Sequence, residues 1–112
     1  MMKGKVIVLS GEGLGRGEEQ LGKMIMANML RLLGDQPEKP RAIFCWNAGV
    51  KLVTEGSLVL EHLKKLEESG VEILACRTCI EWFDLEDKVQ VGKISSMQAF
   101  LDLAASHEVM VV

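Results

Sequence analysis

The sequence predicts an α/β fold: three layers, α/β/α, around a mostly parallel sheet of about five strands. Short apolar runs alternate with amphipathic segments of helical length along the chain. The apolar runs are nearly continuous, as in parallel strands buried on both faces. Glycine-rich or Asn/Asp-rich turns separate the segments and leave room for right-handed crossovers.

Lys5-Val6-Ile7-Val8-Leu9-Ser10 is the first predicted strand, followed by the loop Gly11-Glu12-Gly13-Leu14-Gly15-Arg16-Gly17. A helix over 18–33 follows, with Leu21, Met24, Ile25, Met29 and Leu32 at helical spacing and Gly34 as its stop. Met26, Leu30 and Leu33 widen its apolar surface beyond one stripe, which predicts a helix covered on two sides. Residues 41–47 form the second strand, and Asn47-Ala48-Gly49 a loop. Ser57 is the predicted N-cap of a helix over 58–69, with Val59, Leu63 and Leu66 inward and Gly70 closing it. The run Val71 to Ala75 is the third strand, Val89-Gln90-Val91 a short fourth, and 108–112 the fifth. Between the last two, a helix over 96–106 is expected to bury Met97, Phe100, Leu101 and Leu103 or Ala104.

At 112 residues the chain reads as a single domain, 1–112, with 48% hydrophobic residues and a formal net charge of −3. It has no lysine- or arginine-rich block, which argues against a nucleic-acid partner. No apolar stretch approaches the ~20 residues of a membrane helix, and no cleavage-site pattern follows the N-terminus. Three cysteines do not form a disulfide framework, so a reducing cytoplasm is the expected compartment. A structural zinc site needs four ligands, and Cys45, His62 and His107 do not recur at ligand spacing; neither a metal nor a cofactor is expected.

The motif that carries chemistry is Cys76-Arg77-Thr78-Cys79, placed where the third strand ends and a helical turn, Ile80 to Phe83, begins. A thiol at a helix start is expected to favour the thiolate, the reactive form, and Arg77 would add positive charge. The opposing reading makes both cysteines small buried apolar residues. Cys45 and His62 read as core and half-buried helix residues, and Trp46 and Trp82 as cover for apolar surface near the site or between subunits. The glycine loop misses the dinucleotide fingerprint, since the final glycine of G-x-G-x-x-G falls on Arg16 or on Glu18. Gly13 and Gly15 either cradle an anion or make a tight turn, and Arg16 is a candidate anion contact. Asn47 and Gly49 either shape a pocket floor or serve as turn residues. These three loops all follow strands and converge on the carboxyl edge of the sheet, where ligands gather in open α/β sheets. A thioredoxin fold fits poorly, because both prolines, Pro37 and Pro40, precede the CxxC.

Read in order, Gly15-Arg16-Gly17, Leu21-Gly22-Lys23, 47–52 (Asn-Ala-Gly-Val-Lys-Leu), Glu55-Gly56-Ser57, 70–74, Cys76-x-Thr78-Cys79, Val91-Gly92 and Met97 resemble the DsrE-like family. The resemblance is nearest to the C-terminal domain of YedF-like selenium-metabolism proteins and spans nearly the whole chain. It implies a flavodoxin-like fold, homo-oligomers, and a sulfur-relay, sulfurtransferase-like role in which Cys76 or Cys79 carries a persulfide. It also implies a protein sulfur donor or acceptor, such as a small sulfur-carrier protein. Two rivals keep the same fold: a dithiol redox protein, and a non-catalytic binding or regulatory subunit of a sulfur-relay assembly. The chain departs from the family pattern at Arg77, where glycine is common.

Overall fold

A computed structural model describes residues 2–112. Five strands, β1 (Lys5–Leu9), β2 (Ala42–Cys45), β3 (Glu72–Cys76), β4 (Lys93–Ser95) and β5 (Glu108–Val111), form one all-parallel sheet in the order β4-β3-β2-β1-β5. Four α-helices connect them: α1 (Glu19–Gly34), α2 (Leu60–Glu68), α3 (Arg77–Trp82) and α4 (Met97–Ala104); a 3-10 helix over Asn47–Val53 follows β2. Successive strands step one way from β1 to β4, and the β4–β5 crossover returns past them to the far side of β1. Right-handed crossovers therefore place α1 and α2 on one face and α4 on the other. The result is the three-layer α/β/α architecture that the alternating pattern predicts, flavodoxin-like as the family resemblance implies.

The core follows from the strands. Val6 to Leu9, Ala42 to Cys45 and Ile73 to Cys76 are all buried, because both of their faces are covered. On the α4 face, Phe44 meets Phe100 at 5.3 Å between ring centroids, and Phe100 meets Trp46 edge-on at 5.1 Å. The second helix behaves as its sequence predicts: Val59, Leu63 and Leu66 are buried, and Ser57 Oγ accepts the Val59 amide at 3.2 Å, although the regular helix begins only at Leu60.

Four expectations need correcting. In α1 the buried residues are Gly22, Met26, Leu30 and Leu33, whereas Leu21, Met24, Ile25 and Leu32 face outward. Both stripes are apolar, and the glycine that lets the helix lie close to the glycine loop sits on the inner one. The second correction is that 89–91 is not a strand: Val89 makes an isolated antiparallel bridge to Thr54, and β4 lies four residues later at the sheet edge. Third, α4 is capped by Ser96, whose hydroxyl accepts the Ala99 amide at 3.1 Å, yet it buries no residue fully. Met97 and Leu101 are exposed, and α4 packs against the core through Phe100 and Leu103. The fourth correction is that Asn47-Ala48-Gly49, expected as a loop, begins the 3-10 helix Asn47–Val53. Among the described residues, no helix is long and apolar enough to cross a membrane.

Candidate functional site around Cys79

The site grows out of the end of β3. The chain leaves the sheet at Cys76, in extended backbone, and turns at once into the six-residue helix α3. Ile80 is fully buried and anchors that helix to the core. Cys79, one position earlier, is therefore rotated to the rim and is half-buried, whereas Cys76 is 4% exposed beneath it. Trp82 and Phe83 lie three and four residues after Cys79, so they share its side of the helical turn. The turn closes when the Leu85 amide reaches the Ile80 carbonyl at 2.9 Å and Asp84 takes a left-handed φ of 57°.

The neighbouring strand supplies the other wall. After β2 the chain turns through Asn47, whose φ of 51° is left-handed and more tolerable for asparagine than for most residues. Its side-chain oxygen accepts the Ala48 amide at 2.8 Å. This conformation points the Asn47 backbone N–H at Cys79, to whose sulfur it donates at 3.0 Å. Next to it, Gly49 packs so tightly against β1 that a Cβ would land on the Leu9 carbonyl oxygen. Gly49 is thus a spacing residue that brings the 3-10 helix, and with it Asn47, down onto the sheet.

Asn47, Thr78, Cys79, Trp82 and Phe83 line a cavity of about 350 Å³. Among the described residues, no charged side chain lines it. The Lys51 ammonium sits 4.5 Å from the centroid of the Phe83 ring, one of its walls. A larger cavity, about 630 Å³, lies at the opposite end of the sheet against Lys3, Pro37 and Gly70. It contains no thiol, so reactivity points to the smaller one.

Electrostatics revise the expected thiolate. Burial pushes the Cys79 thiol above its ordinary value, the Asn47 amide pulls it part of the way back, and the adjacent Cys76 sulfur pushes it up again. The net direction is upward, and Arg77, which is exposed, is not among the groups that shift it. Cys45 is more extreme: fully buried, its thiol is pushed up to about 12 from an ordinary 9.0 by desolvation. It is an inert part of the core.

Of the residues singled out in sequence, Cys76, Cys79 and Asn47 come together, with Gly49 behind them. Gly13, Gly15 and Arg16 do not line the Cys79 cavity, although the loop begins close by: Gly11 lies against Gly49, and Glu12 shares an adjoining cavity with Lys51 and Phe83. Gly13 lies against α1, where a Cβ would come within 2.7 Å of the Gly22 backbone, and the Leu14 amide is already engaged by the Gly22 carbonyl at 3.0 Å. Gly15 turns the loop with a φ of 75°, and Arg16 is exposed. Glu12, Glu18, Glu19 and Lys23 supply the charged side chains that line the cavity there, of about 260 Å³. Phe83 and Thr78 were not singled out as site residues. Phe83 was legible all the same, because an aromatic residue at the fourth position after a CxxC thiol falls on the thiol's side of a helix.

No protein-family model and no curated protein sequence matches the chain. Solved structures do. YchN from Escherichia coli superposes with a TM-score of 0.76 over 99% of this chain and all of its own, at 16% identity. MTH1491 from Methanobacterium thermoautotrophicum, a protein of unknown function, gives 0.70 at 13% identity with both chains fully covered. BT1422 from Bacteroides thetaiotaomicron, also of unknown function, gives 0.65 at 19% identity over 97% of this chain and 95% of its own. At these identities the likeness is one of architecture, and the chain has the fold of YchN.

Proposed function

We propose that the protein is a sulfur-relay, sulfurtransferase-like carrier of the DsrE type, nearest to the YedF-like branch, with Cys79 as the sulfur-accepting thiol. One observation carries the reading: a CxxC thiol lines a cavity, with a backbone N–H on its sulfur and the buried Cys76 thiol one helical turn earlier. The Cys79 thiolate attacks the outer sulfur of an incoming persulfide, R–S–SH. The S–S bond breaks, R–S⁻ leaves and takes up the proton that Cys79 released on ionising, and Cys79–S–SH remains. Attack by an acceptor thiolate on the outer sulfur completes the transfer and restores Cys79 without net oxidation. Cys76 offers a second exit: its attack on the inner sulfur expels hydrosulfide and leaves a Cys76–Cys79 disulfide, which a cellular dithiol reopens. Selenium fits the same sequence of steps.

The donor and acceptor are other proteins, among them a small sulfur-carrier protein, and the compartment is the cytoplasm. The outward apolar stripe of α1, with Leu58 beside it, supports assembly into a homo-oligomer. Mass spectrometry after incubation with a persulfide donor tests the central step. A gain of one sulfur atom on the Cys79 peptide is expected, lost in Cys79→Ser; no gain on the wild-type chain ends the reading. The CxxC spacing, with the Cys76 side chain near enough to push the Cys79 thiol up, favours one rival, a dithiol redox protein. A redox titration showing a reversible Cys76–Cys79 disulfide, with no sulfur gained from persulfide, would establish that rival instead.

A further inference from the structure

The walls of the Cys79 cavity restrict what can approach the sulfur. Two of its five lining residues are aromatic, and Trp82 stands out into solvent with 82% of its surface exposed. An indole left this open beside a thiol offers a broad apolar plane at the cavity mouth. The polar contributions are an amide N–H already spent on the sulfur, the Asn47 side chain, which is turned back onto Ala48, and the Thr78 hydroxyl. Charge is arranged elsewhere: the Lys51 ammonium lies on Phe83, and Arg16 and Arg77 do not line the cavity. An inorganic anion held here would meet no cation among the lining side chains, so any water it sheds goes uncompensated, which is costly. An apolar body would instead bury surface against both rings. At about 350 Å³ the space suits a small organic group or one side chain of a larger carrier.

We infer that the site takes its sulfur from an organic persulfide whose uncharged, apolar substituent rests on Trp82 and Phe83, and rejects inorganic anionic donors such as thiosulfate and polysulfide. This rests on the reading of Cys79 as the accepting thiol, but the selection itself is testable without any sulfur transfer. Thiol–disulfide exchange at Cys79 follows the same approach: the thiolate attacks one sulfur of an aromatic disulfide, the S–S bond breaks, and the aromatic thiolate leaves.

The experiment uses the full chain carrying Cys76→Ser, with neutral dithiodipyridine and dianionic dithiobis(nitrobenzoate) as probes, each rate normalised to free glutathione. The neutral probe is expected to be favoured by about tenfold, and Trp82→Ala or Phe83→Ala to remove most of that preference, as loss of an aromatic contact would. Equal normalised rates for the two probes, or a preference unaffected by both substitutions, overturns the inference. If the preference holds while no persulfide loads, the cavity's selectivity stands and the sulfur-relay reading fails. In a second arm, benzyl persulfide loading as fast as a persulfidated apolar peptide identifies small molecules as the source. Loading by the peptide alone identifies a protein carrier.

Discussion

Two loops leave the same edge of the sheet, and only one has the makings of a reaction site. The loop after β1 is rich in glycine, the usual sign of a backbone that wraps an anion, yet its glycines serve packing and turning. Gly13 lets the loop touch α1, Gly15 takes a left-handed turn, and glutamates dominate its rim. The turn over 77–85 after β3 has one short helix and no glycine, but it holds a reachable thiol, meets a donor aimed at the sulfur from the turn after β2, and supplies two aromatic walls. Backbone freedom says where a chain can bend. Chemistry is located by where a polar hydrogen points and by which side chain is left open.

The contrast breaks most readily at the level of single residues. Cys79→Ser should lower sulfur loading by roughly 100-fold or more, since a hydroxyl does not replace the thiolate as nucleophile. Arg16→Ala, in the glycine loop, should leave loading within about twofold, as expected of an exposed side chain away from the site. Quantitative mass spectrometry over time measures both, and a large loss in Arg16→Ala would return the glycine loop to the site.

Stability gives the next largest effect. Gly13→Ala sets a methyl against the Gly22 backbone and should cost about 2 kcal/mol. Gly15→Ala faces open space and meets only the left-handed backbone penalty, about 1 kcal/mol. Chemical denaturation of the two variants reads this difference; a reversed order would mean that the loop is not held by its contact with α1. Neither substitution should alter loading.

The donor on the sulfur is worth about 1 kcal/mol, so its loss should slow the Cys79 reaction about fivefold. Asn47→Val, a β-branched residue forced into a left-handed turn, is expected to displace that N–H. Asn47→Gly retains both the turn and the N–H and should react at the wild-type rate. Stopped-flow thiol assays distinguish them, and equal rates in the two variants would remove Asn47 from the site.

The smallest effect concerns pH. Because the Cys79 thiol is shifted upward, its reactivity should continue to climb past the pH at which an ordinary cysteine levels off. Cys45 gives the matching signature in stability. A thiol with a folded value near 12 and an ordinary value of 9.0 keeps its proton longer in the folded state. Its contribution is whole below pH 9 and is lost as the pH rises from there toward 12. Stability measured across that window should fall, and Cys45→Ala should flatten the fall.

Much of this was legible in the sequence, for physical reasons. Continuous apolar runs such as Val6 to Leu9 announce strands covered on both faces, and the position of the CxxC after β3 follows from the run before it. β4 was misplaced because Lys93-Ile94-Ser95 is an edge strand with one apolar residue and carries almost no pattern, whereas Val91 is buried without belonging to the sheet. The inner face of α1 was hidden by Gly22, whose contribution is close approach and not hydrophobicity. Within the site, the thiols and Asn47 were readable as residue types. The hydrogen bond between them was not, because it depends on a left-handed backbone turn and on Gly49 pressing against Leu9.

The account turns on which sulfur solvent can reach, and site-resolved alkylation of the native chain measures that directly. Cys79 should be labelled first, by a wide margin over Cys76, with Cys45 untouched until the protein unfolds. Labelling of Cys76 ahead of Cys79 would contradict it.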